Sequence, residues 1–141
     1  LWAGGAGPRP ANQSEVSAMF YEGHTPLEIV GQLMIATLFL GTLVLNAGTK
    51  ERQHVDRMAA MNIPLPRATL WAGFALQAAG GVMVAVDWQT GLGAVLLIVF
   101  TVLASAIFHR FWTMEDPLRR HLHLSFVFSN IAVIGALLLL I

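Results

Sequence analysis

Four apolar stretches, residues 27–47, 68–86, 92–108 and 124–141, take up more than half of the sequence. Each runs to roughly 17–21 residues, close to the ~20 that cross a hydrocarbon core as a helix. Lipid offers no partner for backbone N–H and C=O groups, so a spanning segment satisfies them internally, and helix is the expected form. None of the stretches shows the strict alternation of a barrel strand. Composition supports this reading. Hydrophobic residues make up 56% of the 141 and charged residues only 11%, against about 25% charged in soluble domains. The sequence therefore predicts an all-α, integral membrane four-helix bundle, one domain over 27–141, preceded by an extramembrane segment over 1–26.

Basic residues divide the connections. The first, over 48–67, holds Lys50, Arg52, Arg57 and Arg67, the third, over 109–123, holds Arg110, Arg119 and Arg120, and the second, over 87–91, holds none. Seven of the eight Lys and Arg residues thus fall on one side. The positive-inside rule assigns that side to the cytoplasm of a bacterial inner membrane, with both termini periplasmic. Net charge is zero and gives no sign of nucleic-acid binding. Cysteine is absent, which removes disulfides and thiolate chemistry.

The opening LWAGGAGPRPANQ reads as coil. Residues 12–22 carry Asn12 and Glu15 at capping-box spacing and an apolar stripe of Val16, Met19 and Phe20. A short amphipathic helix is expected there, lying on the outer leaflet or against a partner. In the first connection a short helix over 51–61 should lead, through Pro64 and Pro66, into an extended elbow. Asp87 reads as a solvated acid at an outer turn, and Glu28 as a marker of the first helix start.

Polar residues inside the spans are costly and need partners. Gln77 shares a small face with Gly73 and Gly80, which suits close helix contact and an interhelical hydrogen bond. Thr101, Ser105 and His109 recur every four residues, with Trp112 near the next turn, and so do His121, Ser125 and Ser129, with Asn130 beside them. Spacing of four keeps residues on one helix face. Joined by one loop, the two stripes would bring His109 and His121 to similar depth. Two readings are open. The hydroxyls bond back to their own helices while His and Arg touch lipid headgroups, or the stripes line a seam for a small molecule. For the second, the candidate residues are Gln77, Ser105, His109, Arg110, Trp112, His121, Ser125 and Asn130, and a lipid-soluble quinone is the fitting ligand, because histidine can donate to a carbonyl oxygen and carry a proton near neutral pH. Haem ligation between facing histidines is a lesser alternative, and no metal site or catalytic residue is assigned. The chain holds no phosphate loop, dinucleotide glycine pattern or HExxH, so electron transfer would need a bound cofactor or a partner subunit.

Five blocks together resemble the DoxX-like family of small bacterial membrane proteins. The first span ends in NAGTK, the elbow reads NIPLP, the second span reads LQAAGGVMVAV, the third ends in AIFHRFW before MEDP, and the last reads FSNIAVIGALLLL. The likeness covers 27–141. Gln77 stands where the family often carries Glu, and Asn62 where it often has Gly. The family takes its name from a subunit of a thiosulfate:quinone oxidoreductase, and other members look like membrane parts of oxidoreductase assemblies. The resemblance implies a four-helix membrane fold and an accessory or anchoring subunit of a larger redox complex. Its alternatives are a quinone-interacting component and a small transporter.

Overall fold

A computed structural model describes residues 20–141. Over that range the chain is helical and has no strand. The main helices are α1 (Pro26–Leu45), α2 (Glu51–Ala60), α3 (Pro66–Ala85), α4 (Thr90–Phe108) and α5 (Pro117–Leu138). Four helical segments are long and apolar enough to cross a membrane, and each contains one of α1, α3, α4 and α5. The expected helix over 12–22 lies for the most part outside the described residues. Its last residues, Phe20–Glu22, form a bend and turn and not a helix.

Local chemistry sets the boundaries. Thr25 and Glu28 form a reciprocal capping box, with Glu28 N–H donating to Thr25 Oγ1 (3.3 Å) and Thr25 N–H to Glu28 Oε2 (2.7 Å), and Pro26 opens α1. Asp116 caps α5 by accepting from Leu118 N–H at 3.2 Å, again ahead of a proline. That cap starts α5 seven residues before the apolar stretch at 124, so His121 and His123 belong to helix.

α1 passes into α2 through a π-helical turn, Asn46–Lys50, without a break. α2 ends in a Schellman motif. Ile63 N–H reaches Met58 O (3.1 Å), Asn62 N–H reaches Ala59 O (3.0 Å), and Asn62 sits at φ +57°. Asparagine tolerates that left-handed conformation better than most residues. The elbow is therefore not extended as expected. It turns left-handed at Asn62 and again at Leu65 (φ +46°), and these two turns reverse the chain into α3.

α3 is the centre of the bundle, packed on α1 and α4, with α5 resting on α4 and touching α1 lightly. Ala36, Phe39, Val84, Ala94, Leu97 and Leu137 form one buried cluster, and Met58, Leu70 and Phe74 a second beneath α2. α3 and α4 meet backbone to backbone. A Cβ on Gly80 would lie 2.8 Å from Gly93 O, and one on Gly93 would lie 3.0 Å from Gly80 O. Gly80→Ala should therefore force the helices apart and cost about 1–3 kcal/mol as over-packing, read as a lower thermal midpoint in detergent. Gly41→Ala, with no atom within 4 Å of its Cβ position, is the control and should leave the midpoint unchanged or slightly higher.

Candidate functional site: a polar cavity inside the bundle

Polar side chains from all five helices and the π turn converge on one half-open cavity of about 330 Å³. Thr42 comes from α1, Asn46 from the π turn, His54 and Arg57 from α2, Gln77 from α3, Thr101 and His109 from α4 and its end, and Asn130 from α5. Leu38, Phe39, Phe100, Ala104, Phe108 and Val133 complete the wall. No carboxylate lines it. Arg57 has no acid within ion-pairing distance among the described residues, where the two pairs found are Arg67–Glu51 and His24–Asp87.

Gln77 is the most buried of the polar residues, at 1% exposure. Its Nε2 donates to Phe39 O (2.8 Å) and to Thr42 Oγ1 (3.1 Å). A backbone carbonyl only accepts, so Phe39 fixes which end of the amide faces α1. This is the interhelical hydrogen bond expected from the sequence. The other end, Oε1, is buried with no partner. An orphaned buried acceptor costs roughly 1–3 kcal/mol, and here it belongs to a cavity-lining side chain.

His109 closes α4, its N–H donating to Ser105 O at 3.0 Å. Its Nδ1 lies 3.1 Å from His123 Nδ1, and both rings pack against Phe126. At that distance one Nδ1 carries a proton and donates it while the other accepts, so the two rings are held in opposite tautomers. His54 packs edge-on against Phe108, and its Nε2 sits 3.4 Å from Asn46 Oδ1. Asn130 Nδ2 donates to Ser105 Oγ at 2.8 Å across the α4–α5 seam.

The structure thus gathers some of the candidate residues and leaves others apart. Gln77, His109 and Asn130 line the cavity, and Ser105 stands behind Asn130. Arg110 donates to Ala106 O at 3.0 Å and borders a separate surface cleft with Glu115 and Asp116. Trp112 is exposed in a 3-10 turn against Phe111. His121 and Ser125 are exposed, and Ser125 and Ser129 bond back to their own helix, as Thr101 does. His123 takes the place expected for His121. On a helix these two point about 200° apart, and only His123 lies two turns before Asn130 on the face toward α4. The spacing His123-x6-Asn130 is the signal that identifies it. His54 and Arg57 escape the sequence reading because they belong to the connection over 48–67, and Asn46, at the end of the first apolar stretch, because only the folded turn carries it beside them under the bundle. Among the described residues no group of three or more His, Cys, Asp or Glu could hold a metal ion.

A second polar cluster closes the opposite end of the bundle. Asp87 is not a solvated turn acid. Its carboxylate accepts from Gln32 Nε2 (2.9 Å), Thr90 Oγ1 (2.8 Å) and Tyr21 N–H (2.9 Å), with His24 Nδ1 at 3.8 Å. Gln32 also donates to Val84 O, and the Tyr21 hydroxyl to Ala85 O. Burial pushes the Asp87 carboxyl up, but the bonds from Gln32, Thr90 and Tyr21 and the nearby His24 outweigh it and hold the group below the usual carboxylate range.

Comparison with protein-family models, with curated proteins and with solved structures gives no match for this chain.

A depressed folded-state value means that the ionised Asp87 stabilises the fold above the ordinary carboxylate range, and that this contribution is lost as pH falls through the folded value. Asp87→Asn would place an amide NH₂ opposite Tyr21 N–H and should lower the thermal midpoint near pH 7, by the equivalent of about 1–3 kcal/mol for a charged acceptor. The two proteins should converge as the pH is lowered into the acid range, which a midpoint series in detergent will show.

Proposed function

We propose that this chain is a small membrane-embedded subunit of a redox complex and that its polar cavity receives the headgroup of a lipid-soluble quinone. The observation that carries the reading is the cavity itself. It is lined by five helices, it offers donors from Asn130, His54, His109 and Arg57, and one of its lining residues, Gln77, has a buried acceptor without a partner. A quinone carbonyl accepts hydrogen bonds and a hydroquinone hydroxyl donates one. Both forms therefore find partners in such a set, while a purely apolar or purely acidic site would serve neither.

The cavity lies at the end of the bundle that carries Arg57, Arg110 and Arg119. With the four spans in a bacterial inner membrane, the positive-inside rule turns that end to the cytoplasm. The likeness to the DoxX-like family agrees with a place in a quinone-linked assembly. Electrons would come from a partner subunit or its cofactor, since these residues bind and position but do not carry electrons.

A purely anchoring role is the second reading. It is favoured by α5, the least buried of the spanning helices, which exposes Phe126, Phe128 and Ile131 beside Ser125 and Ser129, a face suited to another subunit's helix as well as to lipid.

Titration of the purified protein with a tail-less benzoquinone decides between them. Saturable binding is expected, and Asn130→Leu should weaken it about tenfold, the equivalent of ~1.4 kcal/mol. Gln77→Leu should weaken it similarly and shift the thermal midpoint little, because the lost bonds to α1 are offset by removal of the orphaned carbonyl. Absence of saturable binding to the wild-type protein would refute the quinone reading. Native mass spectrometry from the source membrane should in either case show larger partner subunits.

A further inference from the structure

On the other side of α4 from the cavity lies a lateral groove of about 380 Å³ between α3 and α4. Leu70, Gly73, Leu76, Leu103 and Ile107 line it, with Met58 of α2 at one end. Its one hydroxyl, on Thr69, is already bonded to Pro64 O at 3.0 Å. The groove offers no free polar group to a ligand.

Three residues belong to both spaces. Phe100, Ala104 and Phe108 line the polar cavity and the apolar groove alike. They recur every four residues, so they form one ridge along α4. Ala104 is the low point of that ridge, a methyl group between two phenyl rings. Gly73 widens the groove opposite the ridge. Unlike Gly80 and Gly93, it is not required by helix contact, because a Cβ there would meet only Phe100 Cε2, at an ordinary 3.9 Å.

Resting on the quinone-headgroup reading, we infer that this groove seats the alkyl or isoprenoid tail of the same molecule, which passes the α4 ridge at Ala104. Neither space alone has room for a whole long-chain amphiphile, and ligand sites for molecules of that size are commonly larger than either. The pairing of a small polar chamber with a dry channel across one helix matches a compact oxygenated head on a single unbranched or regularly methylated tail. A two-tailed phospholipid has no second channel here. Lipid is as apolar as the groove, so the tail gains little by leaving the bilayer. Its seating fixes the direction of the head, and the test must therefore read position.

The probe is a benzoquinone with a ten-carbon chain ending in a diazirine, photolysed with the full chain in lipid nanodiscs, and the adducts are mapped by peptide mass spectrometry. Adducts should concentrate on Leu70, Leu76, Leu103 and Ile107 and fall at least about fivefold when excess tail-less quinone occupies the cavity. Gly73→Leu fills the groove and should remove those adducts while leaving titration with the tail-less quinone unchanged. Adducts scattered over the lipid-facing surface, or groove adducts that the tail-less quinone does not displace, would mean that bilayer chains fill the groove, and the tail assignment would fall while the headgroup site stands. If the tail-less quinone does not bind at all, the headgroup reading falls first and the tail assignment with it.

Discussion

The contact between Gly80 and Gly93 governs the shape of everything around it. With no side chain on either residue, α3 and α4 approach until the carbonyl oxygen of each lies 2.8 to 3.0 Å from the place the other's Cβ would take. Helices that touch at one point and cross at an angle must diverge away from it. Two turns earlier along α3, at Gly73, the nearest atom across the gap is a ring carbon of Phe100. The opening left by that divergence is the groove on one side of Phe100 and part of the polar cavity on the other. The site is thus a product of close packing elsewhere.

The two ends of the bundle treat polar groups in opposite ways. At the Asp87 end the carboxylate is matched by donors from α1, from the first turn of α4 and from the segment before α1. These bonds fasten the end of α3 to α1, to the start of α4 and to the segment before α1, so the knot is structural. At the cavity end no carboxylate meets the donors of Arg57, His54 and Asn130, and among the described residues the buried side-chain acceptor without a partner is the Gln77 amide oxygen. Incomplete satisfaction inside a tightly packed protein is the usual mark of a place made for something else.

Much of the fold was legible because lipid makes a simple demand. Length and apolarity locate all four long helices to within a few residues, except at the start of α5. There Asp116 and Pro117 form a helix cap ahead of the apolar run, and hydropathy does not register caps. The polar pattern was harder to read. A repeat of four selected His121, Ser125 and Ser129, but 3.6 residues per turn makes such a stripe drift around the helix, and the positions that face α4 are His123 and Asn130. Asp87 was read as solvated because its partners Tyr21, Gln32 and Thr90 are distant in sequence or belong to other elements. The interhelical hydrogen bond of Gln77 is legible because one of its partners, Phe39 O, is a neighbouring helix carbonyl, which any bundle would supply.

The π-helical turn at Asn46–Lys50 has a further consequence. A π turn holds one residue more than an α turn at the same place in the chain. Removing one residue from this segment would restore ordinary α pitch and leave the following helix in nearly its present orientation, because the extra residue is taken up within the turn. Winding the same residues as plain α-helix at their present length would instead rotate everything after them by about 100°. His54 and Arg57 would then swing off the underside of the bundle, with no change in their own identity. The basic character of the cavity therefore depends on the winding of a five-residue stretch. A relative with the same histidine and arginine but a chain one residue shorter at this point would reach the same chamber through an unbroken α-helix.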